Sequence, residues 1–255
     1  MSARVVITGA ASGIGAATAA ALRERGAEVV GLDINANGED VLACDVRDQA
    51  SVDQAVAEAV ERLGGLDVLI NCAGIGDPQS AGEPPGEDAL RVLDVNLLGP
   101  WRVTAAALPA LRASRGRVVN VASGLAHFSV PLATAYCMSK RGLVAYSDAL
   151  RIELDGEITV TTVYPGYIRT PIHEAAAAKG LTLEGSVPAE SLEDAARTLT
   201  RAALDSHKRD LATTRLGEIS YALLRVTPKR LVDWAVSQQF KRGGFHDSEL
   251  MNDRR

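Results

Sequence analysis

Tyr136 and Lys140 stand four residues apart in the stretch LATAYCMSKRGLVAYSDAL. Residues i and i+4 share one face of a helix, so a phenol and an ammonium point the same way here. A free tyrosine, with a pKa of about 10, is a poor base at neutral pH. A cation within about 4–6 Å lowers an acid's pKa by roughly 1–3 units, so Lys140 is expected to bring Tyr136 down. That would suit moving a proton at an oxygen while a hydride leaves or joins the attached carbon. Ser123 closes the run GRVVNVAS at a predicted strand end, where its hydroxyl can hold the same oxygen. Alone, Tyr136 and Lys140 are one turn of an ordinary amphipathic helix; the rest of the chain decides their meaning. Tyr146 lies on nearly the same face without a lysine at i+4 and reads as packing. Cys137 reads as core, and His127 and His173, near the same end, read as loop or surface residues rather than pocket lining.

A second group sits near the N-terminus. TGAASGIG, Thr8 to Gly15, follows a β-branched run and opens a helical pattern. Glycines let the backbone approach a pyrophosphate, and a helix N-terminus offers unpaired N–H groups and partial positive charge. Gly9, Ser12, Gly13, Ile14 and Gly15 are therefore the candidate phosphate cradle of a dinucleotide. Asp33 ends the next predicted strand, about 20 residues past the glycines, where a carboxylate accepts hydrogen bonds from a ribose. It would repel a 2′-phosphate. Ile34 follows it and the glycine loop holds no Lys or Arg, so NAD is expected rather than NADP. A plain solvated strand-end Asp is the alternative reading.

Strand and helix signals alternate to position these groups. RVVITG, AEVVGLD, VLACDV, LDVLINCAG, GRVVNVAS, ITVTTVYPG and RDLATT read as strands. Helical patterns fall between most of them, including a long one from Asp88 to Arg115 with a bend expected at Gly99-Pro100. Residues 171–187 read as a loop or short helix. The expected fold is α/β, a single-domain Rossmann-like doubly wound parallel sheet with helices on both faces. Residues 1–214 form the catalytic domain. Residues 215–255 form a C-terminal helical extension packed on it, in two pieces broken at Pro228.

With these residues assembled, the chain resembles the short-chain dehydrogenase/reductase family from Ser2 to about Thr214. The glycine spacing has that family's form. CDV resembles its adenine pocket, with Asp45 and Val46. NCAG resembles its Asn-Asn-Ala-Gly, supplying Asn71, Ala73 and Gly74, with Cys72 in place of the second Asn. VNLLG supplies Asn96. YPGYIRTPI resembles the segment bordering the nicotinamide, with Pro165, Gly166, Ile168 and Thr170. The resemblance implies an alcohol dehydrogenase or ketone reductase that binds NAD. It implies Tyr136 as general acid/base, Ser123 on the substrate oxygen, Lys140 on the nicotinamide ribose and Asn96 anchoring a proton relay. It also implies a homodimer or homotetramer, built on the helices near 88–115 and 134–155. Two features depart from the family: only eleven residues separate Asp33 from Asp45, and the C-terminus has no Val-Asp-Gly-Gly strand.

Composition narrows the alternatives. The chain has 255 residues, 47% hydrophobic and 23% charged, with net charge −5, which gives nucleic acid no basic surface. Cys44, Cys72 and Cys137 show neither a disulfide framework nor metal spacing, so a reducing cytoplasm and no metal are expected. The eighteen uncharged residues between Arg4 and Arg23 read as strand plus small-residue helix, not as a targeting segment or span. Ile75, Leu125, Phe128, Val130, Ile172 and the AAAAKGL run suggest a hydrophobic secondary alcohol or ketone, steroid- or lipid-like among the options. A catalytically silent NAD-binding sensor and an NADP-dependent ketoreductase are the competing readings. Between Lys208 and Arg242 eight Lys/Arg face three Asp/Glu. Packing of this tail on the body or a subunit is favoured there over contact with an anionic membrane.

Overall fold

The structure is a computed structural model, described here for residues 2–36, 38–173 and 189–242. Seven parallel strands form one sheet in the order β3-β2-β1-β4-β5-β6-β7. They are β1 (Arg4–Thr8), β2 (Glu28–Asp33), β3 (Val41–Ala43), β4 (Val68–Asn71), β5 (Arg117–Val121), β6 (Thr159–Tyr164) and β7 (Asp210–Ala212). The helices are α1 (Gly13–Glu24), α2 (Gln49–Leu63), α3 (Glu87–Leu93), α4 (Gly99–Ser114), α5 (Thr134–Glu153), α6 (Leu192–Leu204), α7 (Arg215–Val226) and α8 (Lys229–Arg242). This is the expected single-domain Rossmann-like fold with a helical C-terminal part.

Alternation along β1 shows how the strands earn two buried faces. Val5 and Ile7 pack with α1 and α6 residues such as Leu22 and Leu199. Val6 points the other way, among Val52, Val56, Val103 and Leu111 of α2 and α4. Strands apolar on both faces belong in the middle of a parallel sheet covered by helices. The chain leaves β1 toward β2 and β3, then returns to β4 on the opposite side of β1. That reversal opens a crevice at the carboxyl ends of β1 and β4, where such folds hold ligands.

The expected bend in the 88–115 helix has a different form. Residues Asp94–Leu98 make a π-helical turn, in which the Gly99 amide donates to the Asp94 carbonyl five residues back. Pro100 has no N–H, so it cannot donate to the Asn96 carbonyl four residues earlier as an α-helix requires. The irregularity thus precedes Gly99-Pro100 and centres on Asn96. β2 and β3 are joined without a helix, as the short connection implied, and Ile34 stands exposed there. α7 and α8 flank Pro228. The expectation for 171–187 falls mostly outside the described residues, of which Pro171–His173 form a 3-10 turn.

The turn after β1 tolerates no side chain at two points. Gly9 has φ of 72°, and a Cβ on it would lie 2.8 Å from the Ala73 backbone. A Cβ on Gly15 would run into the Gly9 carbonyl. Gly15→Ala should therefore lower stability by about 1–3 kcal/mol, as overpacking does. Urea unfolding checks this: the midpoint should fall with an unchanged slope.

Candidate active site

A cleft of about 1270 Å³ runs along the carboxyl ends of the strands. At one end α1 begins beneath it. The first-turn amides of a helix have no intrahelical partner, and the Ser12 side chain does not cap those of α1. Gly9, Ser12, Gly13, Ile14 and Gly15 all face the cleft. Beside them, Asp33 is fixed by two backbone donors. The Ala11 amide meets Oδ2 at 3.0 Å and the Asn35 amide meets Oδ1 at 2.9 Å. Ile34, Asp45 and Val46 complete this wall. Arg47 also reaches it, a cation the sequence reading overlooked. It is committed to Asp45, with Nη2 2.6 Å from Oδ2, and holds that carboxyl below its usual range.

The opposite end gathers Ser123, Tyr136 and Lys140 on the cleft wall. The Ser123 hydroxyl accepts from the Leu125 amide at 3.2 Å and is hydrogen-bonded with Tyr136. Lys140 is buried, donates to the Val121 carbonyl at 2.9 Å and lies 5.7 Å from the Tyr136 ring centroid. The electrostatics of the protein alone run against the expected lowering of Tyr136. Burial pushes its phenol up to about 12, with the Ser123 hydrogen bond opposing. Burial also pulls the Lys140 ammonium down to about 8. Desolvation dominates both shifts because burial disfavours the charged form of each group.

Two of the predicted site residues lie behind the wall rather than on it. Asn71 donates to Thr104 at 3.0 Å and to Asn120 at 2.8 Å, within a buried network that ends on Ser147. Asn96 is fully buried. Its Oδ1 accepts from the Ile75 amide and its Nδ2 donates to the Ile75 carbonyl, both at 2.9 Å. These bonds clip the chain after β4 to the π-helical turn. Ala73 and Gly74, between the two asparagines, do face the cleft. Cys72 costs this strand end little, because the Thr8 hydroxyl accepts from both the Cys72 and Ala73 amides at 3.0 Å. Cys137 is buried, and Tyr146 stacks on Trp101 with centroids 5.4 Å apart, so both are packing as expected.

Pro165, Gly166, Ile168 and Thr170 border the same cleft, and Thr170 reaches across to Gly13. Glu190, which the sequence reading missed, anchors this segment. It accepts from the Gly166 amide at 2.9 Å, from Thr214 at 3.2 Å and from Thr213. One carboxylate therefore ties the end of β6 to the end of β7 and the start of α7. The pocket residues Ile75, Leu125, Phe128, Val130 and Ile172 line the cleft as expected; the AAAAKGL run lies outside the described residues. Leu216, Ser220, Tyr221, Leu224 and Val236 of α7 and α8 also line the cleft.

The histidines are more enclosed than expected. His173 lines the cleft beside Tyr167. His127 is held between Tyr164 and Tyr221, at centroid distances of 4.8 and 4.9 Å.

These residues fit an extended dinucleotide. An open helix N-terminus lies between the Asp33 carboxylate and a buried Tyr–Lys pair, and glycine backbone lines the middle. Comparisons with known proteins agree. Residues 3–180 match the family model described as short chain dehydrogenase. The chain is 38% identical over 188 residues to a D-threitol dehydrogenase of Mycolicibacterium smegmatis, covering 67% of this chain and 72% of that one. A 3-ketoacyl-(acyl-carrier-protein) reductase from Brucella melitensis, solved with NADH, superposes with a TM-score of 0.72 at 27% identity, covering 82% of this chain and 94% of that one. A short chain dehydrogenase from Burkholderia cenocepacia, solved with NADP, matches in fold with a TM-score of 0.77 at 24% identity, covering 91% and 97%. The chain belongs to the short-chain dehydrogenase/reductase family, whose members are oxidoreductases that bind a nicotinamide cofactor.

The His127 stack generates a pH dependence. Burial, with Arg225 adding to it, lowers this imidazole from 6.5 to about 4. Between those values the unfolded chain binds more protons than the folded one, so stability falls as pH drops through this window. In His127→Gln, chemical unfolding followed from pH 7 to pH 4 should show a shallower loss than in the wild type.

Proposed function

We propose that this oxidoreductase is NAD-dependent and interconverts a secondary alcohol and a ketone. The observation that carries the reading is the convergence of Ser123, Tyr136 and Lys140 at one end of a cleft whose other end presents Asp33. A bound nicotinamide supplies the hydride acceptor or donor and, when oxidised, a positive charge. In this reading Ser123, whose hydroxyl is steadied by the Leu125 amide, holds the substrate oxygen against the Tyr136 hydroxyl. Tyr136 takes the proton in oxidation and returns it in reduction. Its raised phenol suits donation to a nascent alkoxide, and a cation beside it favours the tyrosinate needed for the reverse. Lys140 would bond the nicotinamide ribose, and its positive charge would favour the Tyr136 tyrosinate. Asn96, whose side chain bonds Ile75 and Ser139, would support the proton relay to Lys140 by holding the turn that anchors it.

Gly9, Ser12, Gly13, Ile14 and Gly15 would hold the pyrophosphate, with Asp33 and Ile34 on the adenosine ribose and Asp45 and Val46 beside the adenine. Ala73, Gly74, Pro165, Gly166, Ile168 and Thr170 would border the nicotinamide. Arg47 does not rescue a 2′-phosphate, because Asp45 already neutralises it. The apolar lining from Ile75, Leu125, Phe128, Val130, Ile172 and Leu224 favours a hydrophobic substrate. Free Cys44, Cys72 and Cys137 suit a reducing cytoplasm. A homodimer or homotetramer through α4 and α5 is supported by the exposed Trp101, Met138 and Ile152 on those helices and by Leu98 just before α4.

Tyr136→Phe should keep NAD affinity within about twofold, while turnover falls by roughly 10²–10⁴, the usual worth of general acid–base catalysis. Dinucleotide titration alongside a panel of secondary alcohols and ketones would measure both. Wild-type kcat in the variant removes Tyr136 from its role. Running NAD and NADP in parallel tests Asp33: the wild type should favour NAD. Asp33→Ser should narrow that preference by about tenfold or more, as removal of a like-charge repulsion does.

A further inference from the structure

α7 and α8 are apolar on two sides. One side walls the cleft through Ser220, Tyr221, Leu224 and Val236. The other carries Leu216, which also reaches the rim of the cleft, with Ile219, Leu223 and Val226, a stripe at i, i+3, i+7 and i+10, and α8 exposes Leu231 and Trp234 as well. These six residues are between 57% and 78% exposed, so this face does not pack on the body, one of the two places the sequence favoured for the segment, the other being a subunit. Among the described residues, no helix is long and apolar enough to cross a membrane.

We propose that this face docks the protein onto an anionic membrane surface. Charge selects the occupant. Residues 215–242 hold six Lys/Arg against two Asp/Glu, in a chain whose net charge is −5. Arg225 and Lys229 each have a carboxylate nearby, Asp210 at 3.2 Å and Asp233 at 2.9 Å. The attraction therefore rests on the excess of cations along the segment rather than on any one of them. Isologous pairing with a second copy would set this same basic segment against itself, while an acidic bilayer surface complements it. Short helices with one apolar face and flanking basic residues lie in the plane of such an interface, and tryptophan concentrates there. The inference is independent of the reaction assigned to the cleft.

The full chain is mixed with phosphatidylcholine vesicles, with and without phosphatidylglycerol, and sedimented. Binding is expected to the anionic vesicles and to weaken with added salt. Leu223→Glu combined with Val226→Glu should lower vesicle affinity at least about tenfold, and Arg230→Glu should lower it more modestly. Thermal unfolding confirms that each variant folds. Failure of the wild type to bind anionic vesicles, or undiminished binding by the folded double variant, overturns the proposal. So does sedimentation equilibrium showing that the double variant splits an oligomer, because the face would then belong to a second copy.

Discussion

The close approach of the ends of β1 and β4 is the constraint on which the site depends. Gly9 lies against the Ala73 backbone, Gly15 lies against Gly9, and the Thr8 hydroxyl holds the Cys72 and Ala73 amides. Each contact needs a particular small or hydroxylated residue at a position where the chain reverses direction across the sheet. Together they set the start of α1 beside the strand end that carries Gly74. The glycine-turn end of the cleft and the end that gathers Ser123, Tyr136 and Lys140 are thereby built from one junction. A side chain at Gly9 or Gly15 would push both apart, which is why these glycines are steric requirements rather than flexible points.

Around that junction the protein spends buried polar groups on positioning. Asn71, Thr104, Asn120 and Ser147 form one buried network. Asn96 clips the chain beyond Gly74 to the π-helical turn. Glu190 does comparable work on the far wall, tying Gly166 to Thr213 and Thr214. Each of these buried hydrogen bonds favours one arrangement, because breaking it leaves a desolvated donor or acceptor unpaired. They let Ser123, Tyr136 and Lys140 occupy a dry wall, where the cost is the raised Tyr136 and the lowered Lys140. The opposite shifts of these neighbours fit a site whose protonation state responds strongly to a nearby charge.

The C-terminal helices give the cleft its individual character. The family match ends at residue 180, while α7 and α8 lie beyond it and line the cleft. Tyr221 joins His127 and Tyr164 in one aromatic group, so the extension is seated on the body through its inner face. Its outer face remains apolar and exposed.

The amino-acid sequence by itself determined the order of strands and helices, the glycine turn, the acidic strand end and the spacing of Tyr136 and Lys140. Those features are local: two- and 3.6-residue periodicity, turn chemistry and motif spacing are written in consecutive residues. What only the tertiary structure decided depends on residues distant in sequence. Burial set the direction of the Tyr136 and Lys140 shifts, against the expectation from their pairing alone. Packing turned Asn71 and Asn96 away from the cleft, and the absent N–H of Pro100 combined with the Gly99–Asp94 bond to make a π-helical turn instead of a simple bend. Glu190, Arg47 and Tyr221 reached the cleft without any motif to announce them, because a side chain's partners across a fold leave no periodic trace.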